Sequence, residues 1–96
     1  MSPSYRIKLS KRYKKDIRRL GKSNIDISPL ELIVDQLARG ERLPVERKDH
    51  ELRGELRGTR ECHIGPDWIL RYMKDDNVLF LLLISTGNHR RVLGIE

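Results

Sequence analysis

From Ser4 to Leu9 polar and apolar side chains alternate strictly, which predicts a strand with one face against a core. The period then changes. Ser10 is a ready N-cap, Tyr13, Ile17 and Leu20 recur at helical spacing and Gly21 offers a stop, so Lys11 to Leu20 is predicted as a short amphipathic helix. A second helix start follows at Ser28-Pro29-Leu30-Glu31, where a capping box coincides with proline in the first turn. Leu30, Ile33, Val34, Leu37 and Ala38 supply its apolar stripe and Gly40 ends it, which makes a helical hairpin. Arg42 to Thr59 has two glycines and no stripe, and reads as an ordered loop with short extended pieces. So long a loop in a small domain calls for a functional role.

Sheet is predicted from Thr59 onward: Thr59 to Ile64, a Gly65-Pro66-Asp67 turn, Trp68 to Met73, a Lys74-Asp75-Asp76-Asn77 turn, then Val78 to Ile84. The last of these is apolar on both faces and should lie inside the sheet. Ser85-Thr86-Gly87-Asn88 breaks the run, and Arg90 to Leu93 is expected to form a final short edge strand. The order β-α-α-β-β-β(-β) implies an α+β fold, a twisted antiparallel sheet with the two-helix hairpin packed on one face and the other face open. Ninety-six residues suit one domain, taken as residues 1–96.

Val78 to Ile84 is the longest apolar run, far below the roughly 18 residues that span a bilayer, so a soluble cytoplasmic protein with no membrane partner is expected. A single cysteine, Cys62, excludes an intramolecular disulfide and any multi-cysteine zinc module. It should face away from His63 on the same strand and pack in the core. Trp68 and Tyr72 share a face with Leu70 and are also assigned to the core.

The formal charge of +6 is unevenly placed. The first 22 residues hold nine bases and one acid, Asp16, so the excess belongs to the first helix and its approach. Lys11, Lys14, Lys15, Arg18 and Arg19 form a surface for an anion, either an RNA phosphate or an acidic protein partner; a solvated helix face is the alternative.

Histidine exchanges a proton near neutral pH, and His50, His63 and His89 all fall at loops or strand ends. Cleavage of RNA through its own 2′-hydroxyl needs a base, an acid and cations around the phosphorus, and no metal. The three histidines, Asp67 and a surplus of arginine are the right residue types. Taken singly, each has a plainer reading: a turn aspartate commonly bonds nearby backbone, and a loop histidine is often only solvated. Arg60, Arg71, Arg90 and Arg91 are the candidate phosphate contacts. Zinc-finger and HExxH spacings are absent, which leaves only a metal site assembled from distant segments, and no cofactor is expected.

Three blocks carry a resemblance: Lys48-Asp49-His50-x-Leu52-x-Gly54, Gly58-x-Arg60-Glu61-Cys62-His63-Ile64-x-Pro66-Asp67-Trp68-Ile69-Leu70-x-Tyr72, and Thr86-Gly87-x-His89. Together they resemble the YafQ branch of the RelE/ParE toxin superfamily, over about half the chain from residue 48 onward. The resemblance implies a type II toxin, a ribosome-dependent endoribonuclease that cuts mRNA in the A site and arrests translation. It implies acid–base roles for His50, His63, Asp67 and His89, with His89 and Asp67 as the proton-transfer pair and His50 and His63 on the phosphate. It further implies ribosomal RNA contacts from the first helix, a cognate antitoxin, and operator DNA bound only through the antitoxin complex. The family often carries an aromatic residue shortly after the last histidine, where this chain has Leu93, which can pack against a base but cannot stack on it. Two other readings remain: a ParE-like topoisomerase inhibitor without catalysis, disfavoured by the histidine set, and a nucleic-acid-binding regulatory module that uses only the basic helix.

Overall fold

The computed structural model describes residues 4–94; the Ile95-Glu96 tail and the first three residues of the expected domain lie outside them. Five strands form one sheet: β1 (Arg6–Leu9), β2 (His50–Glu51), β3 (Arg60–Gly65), β4 (Trp68–Asp75) and β5 (Phe80–Gly87), in the order β1-β5-β4-β3-β2. Helices α1 (Lys11–Lys22) and α2 (Ser28–Ala38) pack on one face, and α3 (His89–Leu93) follows β5. No helix among the described residues is long and apolar enough to cross a membrane.

The expected α+β order holds, but the sheet is mixed. β2, β3, β4 and β5 are antiparallel neighbours, whereas β1 runs parallel to β5, Arg6 opposite Phe80 and Leu9 opposite Leu83. The helical hairpin carries the chain from the β1 edge to the far edge of the sheet, so the direction of β1 is set by that crossover and not by any local turn.

The core lies between the helices and one sheet face: Tyr13, Leu30, Ile33 and Leu37 pack with Cys62, Leu70, Tyr72, Leu81 and Leu83. Trp68 packs against this cluster, as its alternation with Leu70 and Tyr72 requires. Truncating a fully buried member such as Leu30 to alanine costs about 2–5 kcal/mol.

Helix ends follow cap chemistry more than the first glycine met. Ser10 Oγ accepts Tyr13 N–H at 2.9 Å, as expected of an N-cap. α1 then runs through Gly21 to Lys22 and stops where Asn24 takes φ 58, with Ile25 N–H on the Leu20 carbonyl and Asn24 N–H on that of Gly21. The capping box at Ser28 does not form. Ile27 is the N-cap, and Asp26 Oδ1 accepts both Ser28 N–H (3.0 Å) and Ser28 Oγ–H (2.7 Å), so an aspartate turn starts the helix instead.

Three expectations in the C-terminal half change. Val78 is an exposed loop residue, since β4 continues to Asp75 and β5 starts only at Phe80. Ser85, Thr86 and Gly87 extend β5 and do not break it, because tertiary partners take their polar groups: Thr86 Oγ–H donates to the Ile69 carbonyl at 2.8 Å and accepts Trp68 Nε1–H at 2.9 Å. Finally, Arg90 to Leu93 is helical. Asn88 Oδ1 caps the turn by accepting Arg91 N–H at 2.8 Å, and Gly94 closes it at φ 70.

Candidate active site

Alternation along β3 puts Cys62 and Ile64 in the core and turns Glu61 and His63 to the opposite face. Register then assembles their neighbours. His50 stands opposite Glu61 across the β2–β3 ladder, Arg71 stands opposite Glu61 on β4, and Ile69 opposite His63. The tight β3–β4 turn presents Asp67, and α3 brings His89 over the same end of the sheet through its packing on β4 and β5.

The His89 ring meets that of His63 edge-on, with centroids 5.1 Å apart. Asp67 Oδ1 lies 2.9 Å from His89 Nδ1 and also accepts the His89 backbone N–H at 3.2 Å. A carboxylate only accepts, so Nδ1 carries the proton and Nε2 is the atom left to face a substrate. His50 Nδ1 lies 2.6 Å from the Lys48 carbonyl, which fixes its proton on Nδ1 by the same logic. Glu61 sits beneath the histidines with Oε1 at 3.5 Å from His50 Nε2 and 3.7 Å from His63 Nε2. It is only 4% exposed, and its Oε2 has no hydrogen-bond partner among the described residues.

Electrostatics separate the groups. Partial burial lowers the His63 pKa, opposed by the Glu61 carboxylate and helped by His89, Lys48 and His50, and the net shift favours the neutral ring. Asp67 is shifted below the usual carboxylate range, first by the His89 side-chain hydrogen bond and then by the backbone one. Arg71 is half-buried on the same face and donates Nε–H to Thr59 Oγ at 3.1 Å. A cavity of about 280 Å³ opens beside His63 against Lys48, Gly65 and Pro66.

All four expected acid–base residues therefore lie in one neighbourhood, with Arg71 on the same face and Arg90, Arg91 and Leu93 on the adjoining helix. Arg60 does not join them. It faces the helix side, opposite Tyr72, and donates to Asp49 at 3.3 Å. Lys11, Lys14, Lys15 and Arg18 are exposed along α1, whereas Arg19 is paired with Asp16 at 2.9 Å. Two residues escaped the sequence reading. Glu61 is two positions from His63 and so on its face, a period-two signal present in the sequence. Arg12, whose guanidinium donates to the Arg91 carbonyl and ties α1 to α3, has no local signal.

Among the described residues one group of side chains could hold a metal. Glu61, His63 and His89 each offer a ligand atom, all within 4.8 Å of one another. Asp67 would orient His89 from behind, as outer carboxylates do for ligating histidines.

Comparison with known proteins agrees with this arrangement. The profile of the family described as bacterial toxin of type II toxin-antitoxin system, YafQ, matches residues 5–94. The chain is 35% identical to the mRNA interferase toxin YafQ of Escherichia coli K12 over 92% of its length and 95% of that protein's. It superposes on YafQ in the crystal structure of the E. coli DinJ–YafQ toxin–antitoxin complex with a TM-score of 0.85 at 34% identity, covering 95% and 99% of the two chains. A metal-bound toxin from Helicobacter pylori is similar at TM-score 0.82 and 35% identity, over 96% and 99%.

Proposed function

The chain belongs to the YafQ toxin family of type II toxin–antitoxin systems, and we propose that it is an mRNA interferase that cuts message in the ribosomal A site and so arrests translation. The E. coli relative named an mRNA interferase supports the activity. One observation carries the mechanism: the His89–Asp67 pair faces His63 across 5.1 Å with a buried carboxylate below.

In this reading His63, held neutral, takes the proton of the substrate 2′-hydroxyl, and the oxygen attacks the adjacent phosphorus. His89 delivers a proton from Nε2 to the departing 5′-oxygen while Asp67 holds Nδ1–H and balances the doubly protonated ring. Asp67 is thus the partner that orients His89, and the proton passes through the imidazole. His50 and Arg71 bind the phosphate, with Arg90 and Arg91 at the rim. No metal is needed for these steps.

The exposed bases of α1 contact ribosomal RNA, and a cognate antitoxin binds the toxin, a reading supported by the DinJ–YafQ toxin–antitoxin complex of E. coli. Operator DNA is reached through that complex. A transition-metal ion on Glu61, His63 and His89 would take the lone pairs that proton transfer uses; the metal-bound H. pylori relative favours this second occupant, and its role here is inhibitory.

The test is 5′-end mapping of a defined mRNA with and without programmed ribosomes, using wild type, His89→Ala and Asp67→Ala. Cuts confined to the A-site codon, dependent on ribosomes and faint in both variants, are expected. A folded protein that arrests growth without cutting would overturn the reading in favour of topoisomerase inhibition.

A further inference from the structure

We propose that Asp49 is a positioning residue for His50, acting through the sheet from the face opposite the histidine cluster. The proposal rests on the reading of His50 as a phosphate-binding member of the site.

β2 is only two residues long and lies at the sheet edge, pairing His50 with Glu61 and Glu51 with Arg60. Its ladder is too short to hold a side chain on its own. The His50 side chain is 52% exposed, so packing does not hold it either. What fixes the segment comes from the two residues that precede His50. Lys48 takes a left-handed φ of 50 and turns the chain so that its carbonyl accepts His50 Nδ1–H at 2.6 Å. Asp49 then points to the other face, where its Oδ1 accepts Tyr72 Oη–H at 2.5 Å and Arg60 Nε–H at 3.3 Å.

Neighbouring side chains of an extended segment point to opposite faces, so a clamp on Asp49 sets the direction of His50. The clamp is rigid because Tyr72 is fully buried in the central strand β4. Burial, and next its bond to Asp49, raise the phenol pKa, which keeps Tyr72 a donor. This also accounts for Arg60: it faces away from the cluster because it helps to hold the residue next to a member of it.

A double-mutant cycle tests the proposal with programmed ribosomes and single-turnover cleavage: Asp49→Ala, His50→Ala and the double variant, with Asp49→Asn as rescue. Asp49→Ala should lose roughly tenfold or more in the cleavage step with little change in ribosome affinity. Asn keeps an acceptor for Tyr72 and should recover most of that loss. In the His50→Ala background the Asp49 substitution should cost nothing further. Equal losses in both backgrounds would overturn the proposal. If Asp49→Ala melts early, Tyr72→Phe, which removes one donor, enters the same cycle. The imidazole ¹H–¹³C resonances of the free protein give a readout independent of cleavage. His50 alone should shift in Asp49→Ala while His63 and His89 stay; an unmoved His50 resonance would overturn the clamp. A His50→Ala variant that cleaves like wild type would instead overturn the reading beneath it.

Discussion

Asp16 Oδ2 accepts the backbone N–H of Thr86 at 3.0 Å, a bond between two buried residues at opposite ends of the chain. β1 ends at Leu9 opposite Leu83, and from there α1 runs beside β5, so the carboxylate takes the N–H that a longer β1 would have taken. The only acid among the first 22 residues is thus structural. Asp16→Ala leaves this N–H unpaired inside the protein and should cost about 1–3 kcal/mol in urea unfolding. Arg19→Ala, which removes only the half-exposed ion-pair partner, should cost less than about 1 kcal/mol.

Asp67 should matter to rate and not to folding. Asp67→Ala removes the acceptor that fixes the His89 tautomer and should slow cleavage by roughly 10²-fold, with unchanged melting of this exposed turn. Asn retains an oxygen acceptor without the charge and should fall between alanine and wild type. Single-turnover rates together with thermal melts check both parts.

Zinc should inhibit reversibly. Micromolar Zn²⁺ is expected to bind the free protein in calorimetry and to stop cleavage, with EDTA restoring it. Glu61→Gln and His89→Ala should each weaken binding at least about tenfold, since the first replaces the anionic oxygen by a neutral one and the second removes a donor. Full-strength binding by both variants would place the ion elsewhere.

Alkali should unfold the protein through buried acids whose protons the fold holds, among them Cys62, Tyr13 and Tyr72. Burial raises the Cys62 thiol from 9.0 to about 12, and burial followed by the Glu31 and Asp16 charges raises Tyr13 from 10.0 to about 12. Both acids ionise more readily in the unfolded chain. Stability is therefore full below about pH 9 and falls as pH rises toward 12, by about 1.4 kcal/mol per unit for each group in play. Urea midpoints between pH 8 and 11 check this, and Cys62→Ala should flatten the decline that begins near pH 9.

Charge reversal on α1 should separate recruitment from chemistry. Lys14→Glu, Lys15→Glu and Arg18→Glu change exposed side chains. Together they should weaken ribosome association and its salt dependence, while the His89–Asp67 geometry, read by NMR, stays as in wild type.

The sequence by itself determined much of this molecule because much of it is local. Tyr13-Ile17 and Leu30-Ile33-Leu37 spell helices with one apolar face, Ser10 and Gly40 mark two of their ends, and alternation at Cys62-His63 already parts core from site. The motif blocks named the family and four residues of the cluster. Tertiary structure decided the rest, for reasons of distance. β1 is parallel because a long crossover sets its direction. Ser85 to Gly87 stays in the sheet because Asp16, Trp68 and Ile69 satisfy Thr86, and none of these is a near neighbour along the chain. Arg60 turns away from the phosphate face because strand parity puts it over Tyr72 and Asp49. Asn88 and Gly94 cap α3, but the stretch between them is five residues long, too short for a period to choose helix over strand; its packing on β4 and β5 made the choice and brought His89 to His63.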